Sequence, residues 1–340
     1  MSRTNFPKQF LDILNTGRTL IQATYDRFAK FIPAENIYVV TAEQYVDIVA
    51  KQLPELAPEN ILGEPSRKNT APCVAYISYK LQELNPNANL ICAPADHLIS
   101  DEAGFKKVCM DALHFTSHIK ALITLGIKPT FPNTGYGYIQ YDQQAVSENV
   151  FKVKTFTEKP DHQLAKTFVA SGDFLWNAGI FVWQVKNIIK AFEKHLPEVN
   201  EVFEAEKIHF NTKKEKEAIA RIYPQCVNIS IDYGVMEKAD NVYIIPASFG
   251  WSDLGTWSSI YDSLEKDYLD NAVAGDNVIV IDATHNVVHA DNKKLVVLQG
   301  LDDFVVVDTK DVLLICKKEK EQDIKDYVAE IKRNKGDKYL

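Results

Sequence analysis

Leu90-Ile91-Cys92-Ala93-Pro94-Ala95-Asp96-His97 is the stretch whose reading decides the fold. Its four apolar residues, Leu90 to Ala93, read as a strand that ends at Asp96. The residues from Asp101 to His118 carry a helical pattern, and Ala121-Leu122-Ile123-Thr124-Leu125 is a further strand. Working back from it, Asn36-Ile37-Tyr38-Val39-Val40-Thr41 reads as a strand. Ala42 to Leu53 reads as a helix, with Tyr45, Val46, Val49 and Leu53 near helical spacing. Asn60-Ile61-Leu62-Gly63 is a second strand, followed by a helix from about Thr70 to Leu84. Strands that alternate with helices imply right-handed crossovers and a doubly wound, mostly parallel α/β sheet covered on both faces. In such sheets ligands lie beyond the carboxyl ends of the strands, where Asp96 stands.

Past Tyr136 the pattern becomes β-rich, with strands at Tyr138 to Tyr141, Phe151 to Glu158 and Leu175 to Trp183 around a helix near Asp161 to Ala170. Helices follow at Lys186 to His195 and Lys213 to Tyr223. Between 277 and 316 come short strands at Val278 to Ile281, Val287 to Ala290, Leu295 to Leu298, Phe304 to Val307 and Val312 to Cys316, separated by Asp, Asn, Gly and Lys turns. That spacing predicts a small β domain or a few coils of a β-helix, closed by a charged helix from Lys318 to Lys332. The expected division is a first domain over 1–265 and a β-rich domain over 266–340.

Composition excludes several classes. A net charge of −8 argues against general affinity for nucleic acid, which needs a broad basic surface. The five cysteines are scattered and form no Cys-x-x-Cys pair, so reduced thiols are expected rather than a disulfide framework or a zinc site. No apolar run approaches a membrane span and residues 1 to 20 lack a signal-peptide pattern, so a cytoplasmic location and no membrane contact are expected. No Gly-x-Gly-x-x-Gly opens a helix and no Gly-x-x-x-x-Gly-Lys is present, which disfavours a dehydrogenase and a P-loop kinase. The histidines, His97, His162 and His195 among them, show no metal-ligand spacing.

Eight motifs stand in one order. They are Phe6-Pro7-Lys8-Gln9-Phe10, Glu64-Pro65-Ser66-Arg67-Lys68-Asn69-Thr70-Ala71-Pro72, Pro94-Ala95-Asp96-His97, Thr134-Gly135-Tyr136-Gly137-Tyr138-Ile139, Phe156-Thr157-Glu158-Lys159-Pro160, Trp176-Asn177-Ala178-Gly179-Ile180, Ile231-Asp232-Tyr233-Gly234-Val235-Met236-Glu237 and Gly250-Trp251-Ser252-Asp253-Leu254-Gly255-Thr256-Trp257. In that order they resemble the mannose-1-phosphate guanylyltransferases, in their short single-function form, over nearly the whole chain. The resemblance implies a nucleotidyltransferase-like fold and attack by the phosphate oxygen of α-D-mannose 1-phosphate on the α-phosphorus of GTP, giving GDP-mannose and pyrophosphate. Such a transfer needs charge neutralisation and in-line positioning, so Mg²⁺ and cationic side chains are expected to dominate.

Mg²⁺ takes oxygen ligands, and Asp96 and Asp253 fit that role. The competing reading is helix capping, by Asp96 of the next element and by Asp253 of a helix starting near Thr256. Lys159, beside a rigid proline, is the expected point charge for the sugar phosphate. Glu158 would accept from sugar hydroxyls, Gly137 would let backbone approach the ligand, and Asn177 offers a donor and an acceptor. Asp232 matches a family position near the sugar. Arg67, Asn69 and Thr70 lie where a strand meets a helix and are the expected guanine contacts, although the same residues suit an N-terminal cap. Arg3 and Lys8 correspond to the end of the family's N-terminal signature, with both cations expected at the triphosphate.

The family carries an apolar strand and a Gly-Gly-x-Gly-x-Arg loop before the segment that starts here at Ser2-Arg3, and this chain as numbered has neither. The expectation is a compromised fold or activity, because the loop is a phosphate cradle and its strand is normally central in the sheet. Met1 would then be an internal methionine of a longer protein. Three other readings stand beside the main one: a nucleotidylyltransferase for another sugar 1-phosphate, a glycosyltransferase, and a truncated, non-catalytic sugar-phosphate-binding subunit. The glycosyltransferase reading is weakened by the absence of an Asp-x-Asp motif. If the chain assembles, the β-rich C-terminal strands are the expected homodimer contact.

Overall fold

The structure is a computed structural model that describes residues 2–3, 5–290 and 293–339. Contacts divide the chain into two units, one made of 29–94 and 99–251, the other of 1–28, 95–98 and 252–340. Grouped by contact, the N-terminal segment and the residues on both sides of the expected boundary at 265 fall together. The reason is apolar: Ile13, Leu20, Leu254 and Ile260 share a buried cluster with Ala272, Val287, Val305 and Val307, so both the N-terminal segment, with helix α1 (Leu20–Ala29), and the residues after 252 pack with the β-rich part.

In the larger unit the strands are β1 (Val39–Ala42), β2 (Ile61–Glu64), β3 (Asn89–Cys92), β5 (Leu122–Ile127), β6 (Gly137–Ser147), β7 (Val150–Glu158), β8 (Phe174–Gln184) and β9 (Val242–Ala247). The two-residue strands β4 (Leu98–Ile99) and β10 (Trp251–Ser252) fall where the chain passes from one unit to the other. Strands β1 and β2 pair in parallel as a separate two-stranded sheet. The main sheet has the order β3-β8-β5-β9-β7-β6, with β6 also pairing with β8. The expectation of a mostly parallel sheet needs correction here. Only β5 and β9 pair in parallel; β3–β8, β5–β8, β6–β7, β6–β8 and β7–β9 are antiparallel. The cause is the hairpin of β6 and β7, turned at Asn149 with φ +56°, and the long β8 that returns against both β3 and β5. Among the described residues β1 and β3 each have a strand partner on one side only.

The helices of this unit follow from local signals. Helix α2 (Val46–Gln52) joins β1 to β2. Helix α3 (Thr70–Leu84) starts at Asn69, whose side chain accepts from Thr70 N, and stops before Asn85-Pro86. Helices α4 (Glu102–His118) and α5 (His162–Ser171) are capped by Asp101 and Asp161, which accept from Gly104 N and Leu164 N. Helix α6 (Val185–His195) buries Ile188, Ile189 and Phe192, and α7 (Pro197–Glu206), which the sequence pattern did not reveal, buries Val199 and Phe203. Together with Tyr79, Trp183 and Tyr223 these side chains form the main core, to which α8 (Glu215–Ile222) adds Ile219 and Ile222. Lys80 and Glu215 form a buried ion pair at 2.7 Å, and the Tyr76 hydroxyl donates to the same carboxylate.

In the smaller unit β11 (Ala272–Ala274), β13 (Val287–Ala290) and β15 (Phe304–Asp308) are stacked in parallel, and β16 (Leu313–Lys317) returns antiparallel to β15. Strands β12 (Val278–Ile281) and β14 (Val296–Gln299) pair in parallel as a second, two-stranded sheet. Side-chain alternation assigns Val287, Val305 and Val307 to one face and Val288 and Val306 to the other, where they meet Leu298. At the corners, buried Asn286 donates to Asn271 Oδ1 (2.9 Å) and to the Leu301 carbonyl, and accepts from Phe304 N. These asparagines tie successive turns of the chain, as β-helix coils require. Helices α9 (Trp257–Ser263) and α10 (Ile324–Lys335) flank the strands in sequence, and α10 closes the unit. No helix among the described residues is long and apolar enough to cross a membrane.

Candidate active site

In the larger unit the structure gathers Gly137, Glu158, Lys159, Asn177 and Asp232. The organising feature is an irregularity in β8. Between the pairs Thr124↔Phe181 and Gly126↔Asn177, β8 carries extra residues, and Gly179 there has φ +67°. Such bulges re-aim side chains next to active sites. On β5 a Cβ at Gly126 would lie 2.5 Å from Ile244 and 2.7 Å from Leu175, so any side chain there would have to displace both. Asn177 is then fixed on both ends of its amide: Oδ1 accepts from Thr124 Oγ1 and from Gly179 N, each at 3.1 Å, while Nδ2 donates to Asp232 Oδ1 at 2.7 Å. Thr124, fully buried, was not singled out from the sequence; its only signal there was a hydroxyl inside an otherwise apolar strand.

Asp232 opens a π-helical turn, Asp232–Met236, a form of helix that recurs at functional sites. The turn packs tightly, since a Cβ at Gly234 would meet Leu196 at 2.5 Å. Burial pushes the Asp232 carboxyl above its ordinary pKa, opposed by the Asn177 hydrogen bond and reinforced by the nearby charge of Glu158. Glu158 ends β7 opposite Gly137. A Cβ on Gly137 would stand 2.5 Å from Glu158 Oε2 and 3.5 Å from the Asn177 Cβ, so the glycine leaves the space that the carboxylate fills. Lys159 takes φ +46°, strained for a side-chain-bearing residue, and its N–H donates to the Tyr136 carbonyl. Its ammonium is 3.1 Å from Glu158 Oε1 and its side chain is 64% exposed, within reach of an anion from solvent.

The three residues expected at guanine are engaged with protein. Arg67 donates to the Tyr45 hydroxyl and lies over its ring, 5.5 Å from the centroid. Asn69, at φ +66°, caps α3. Thr70 Oγ1 accepts from Ile231 N at 2.9 Å, tying the start of α3 to the residue before Asp232. Just upstream, Glu64 accepts from the Tyr223 hydroxyl, and burial raises the pKa of this carboxyl.

In the smaller unit Lys8, Asp96 and Asp253 meet. Lys8 Nζ lies 3.1 Å from Asp96 Oδ2 and 2.5 Å from the Asp253 carbonyl oxygen. His97 Nε2 is 3.9 Å from Asp96 Oδ1, and burial holds this imidazole below its ordinary pKa against the pull of Asp96. Neither aspartate caps a helix. Helix α9 is capped by Thr256, through a reciprocal pair of 3.1 Å bonds with Ser259, and α4 by Asp101. Asp253 Oδ1 instead accepts from Gly255 N at 2.9 Å across Leu254, which has φ +46°. The donors suit Mg²⁺: they are oxygens, and the ammonium held between them marks a cation position. Among the described residues no three or more His, Cys, Asp or Glu side chains cluster as a metal cage. Arg3 is not brought to this group by its contacts. Its guanidinium pairs instead with Asp311, Nη1 to Oδ2 at 3.0 Å, in the turn between β15 and β16.

Comparison with known proteins agrees with the fold. A family model described as nucleotidyl transferase matches residues 2–269, and one described as MannoseP isomerase/GMP-like beta-helix domain matches 276–331. The chain is 37% identical to the mannose-1-phosphate guanylyltransferase of Salmonella montevideo, over 98% of this chain and 70% of that protein. It is 36% identical to the alginate biosynthesis protein AlgA of Pseudomonas aeruginosa, over 97% of this chain and 69% of the relative. Among solved structures it is similar to mannose-1-phosphate geranyltransferase from Thermus thermophilus, with a TM-score of 0.87 at 27% identity, covering 97% of this chain and 94% of that one. The nucleotidyltransferase-like α/β class and the β-helix character of the C-terminal strands are thus both met, and the chain belongs to the nucleotidyl transferase family, in the group of the mannose-1-phosphate guanylyltransferases.

Proposed function

We propose that this nucleotidyltransferase transfers GMP from GTP to α-D-mannose 1-phosphate. A phosphate oxygen of the sugar phosphate attacks the α-phosphorus of GTP, the bond from that phosphorus to the α,β-bridging oxygen breaks, and pyrophosphate leaves. Lys159 neutralises the sugar phosphate; Glu158 and Asp232 accept from sugar hydroxyls, and Asn177 donates to the ring substituents. Their pre-set hydrogen bonds cost no reorganisation during the reaction, which is where such transfers gain most. Asp96 and Asp253 would hold Mg²⁺, which when bound supplies charge neutralisation at the phosphates. Lys8 adds a cation to the same triphosphate. Arg67, Asn69 and Thr70 shape the edge of the base site.

The observation that carries this reading is the convergence of Gly137, Glu158, Asn177 and Asp232, with glycine required for Glu158 to take its place. The test is pyrophosphate release by the 340-residue chain with Mg²⁺ and a panel of GTP, ATP, UTP and dTTP against several sugar 1-phosphates. GTP with mannose 1-phosphate should be the preferred pair, and Asp253→Ala should abolish it. Preference for another pair would move the reading to a different sugar nucleotidylyltransferase. Binding of mannose 1-phosphate without turnover of any pair would leave a sugar-phosphate-binding subunit.

A further inference from the structure

Lys8 reaches the two aspartates from a fixed base. Its backbone belongs to the three-residue turn Lys8–Phe10, and the turn is anchored by Phe10, which is buried and 6.0 Å from the Phe6 ring. From that base the flexible stem carries the ammonium to Asp96 Oδ2 and the Asp253 carbonyl oxygen. An ammonium is a compact point charge with three donors, so it satisfies the kind of hard oxygen that a divalent ion also takes. One set of oxygens cannot serve both cations at once.

We propose that Lys8 is the resident counter-cation of Asp96: its ammonium, seated on that carboxylate and on the Asp253 carbonyl oxygen, holds the metal's place until a nucleoside triphosphate draws it onto the phosphates. The proposal rests on the reading that these two aspartates hold the metal. It gives Lys8 two successive partners, carboxylate first and phosphate second, through rotation of one side chain about an anchored backbone. The Asp96 carboxylate is thereby never without a positive neighbour. Metal alone binds poorly, because it must displace a tethered competitor, and nucleotide and metal enter together.

The test measures metal binding and not turnover. Mn²⁺ is titrated into the full chain without nucleotide, and the free ion is followed by electron paramagnetic resonance. Lys8→Met, matched to the unmodified chain by circular dichroism and melting, should bind Mn²⁺ about tenfold more tightly, the expected effect of removing one adjacent unit charge. Lys8→Gln should do the same and replaces Lys8→Met if that variant fails to fold. Arg18→Gln removes a cation of the same unit that pairs with Asp26 at 2.6 Å, and it should change affinity by less than about twofold because exposed charges are screened. Asp96→Asn should lose the site. If Asp96→Asn loses Mn²⁺ while both Lys8 variants bind it no better than the parent, the metal reading survives and the competition does not. If Arg18→Gln gains as much as Lys8→Met, the effect is one of general charge and the proposal fails. Unchanged binding in Asp96→Asn would remove the metal reading and the proposal with it.

Discussion

Replacing Gly137 by alanine adds a single methyl group, yet the structure gives that carbon one specific consequence. The new Cβ would stand 2.5 Å from Glu158 Oε2, where ordinary contact begins near 3.4 Å. The carboxylate must therefore recede by roughly 1 Å, enough to lose a hydrogen bond of normal length. Nothing else is displaced at comparable cost, because the next neighbour, Asn177 Cβ, is already at an ordinary 3.5 Å. A carboxylate is the far end of a flexible side chain, so the fold should bear the change. Ligand binding should not. A hydrogen bond to a charged group contributes about 1.5–3 kcal/mol, so kcat/KM for mannose 1-phosphate should fall by about ten- to a hundredfold. The GTP KM should stay within about twofold and the melting temperature within a few degrees. Steady-state kinetics with each substrate varied, beside a thermal melt, decides the matter. An equal rise in both KM values, or a large loss of stability with the sugar KM unchanged, would refute the assignment of Glu158 to the sugar.

Two further perturbations act on the same network. Thr124→Val removes the 3.1 Å bond that fixes the Asn177 amide while keeping the side-chain volume, so the sugar-phosphate KM should rise about five- to tenfold with kcat little changed, and Thr124→Ser should recover most of it. A fall in kcat at constant KM would show that Thr124 acts on something other than sugar binding. Asp232→Asn tests the raised carboxyl: because its folded pKa lies above the unfolded value, the ionised group costs stability at pH above the folded pKa, and the cost disappears below the ordinary carboxylate range. The variant should melt roughly 2–4 °C higher than the parent at pH 8, with the gap closing on acidification, and it should turn over more slowly. A stability gain of the same size at both ends of the pH range would mean that charge burial is not its cause.

Much of the fold is legible because its elements carry strong local signals. Helix α3 falls on its expected residues, Thr70 to Leu84, since an Asn cap and an Asn-Pro stop bracket an apolar repeat. Strand direction is another matter. The apolar run of β8 does not say which neighbours it will take, and its antiparallel return against β3 and β5 depends on the β6–β7 hairpin placed elsewhere in the sheet. The division into units is hidden for a similar reason: Ile13 and Leu20 are ordinary apolar residues until Val287 and Val305 are beside them. Thr124 and the Gly126 requirement are also tertiary facts, set by Asn177, Leu175 and Ile244 arriving from distant strands.

The site residues divide on one physical question, namely which backbone N–H each polar side chain satisfies. In the sequence Asp96, Asp253 and Asn69 look alike, each a short polar residue a few positions before a helix, and each could serve as a cap or as a ligand. The structure separates them. Asn69 gives its oxygen to Thr70 N at the start of α3, so a role at the base would have to be shared with that duty. The ends of α4 and α9 are satisfied by Asp101 and by the Thr256–Ser259 pair, which leaves Asp96 and Asp253 with no helix to cap. A carboxylate that is not needed by a helix end and yet sits on a lysine ammonium, as Asp96 does at 3.1 Å, is held chiefly by charge. Such a contact can be exchanged for another cation without unfolding anything, and that is the property a metal ligand must have.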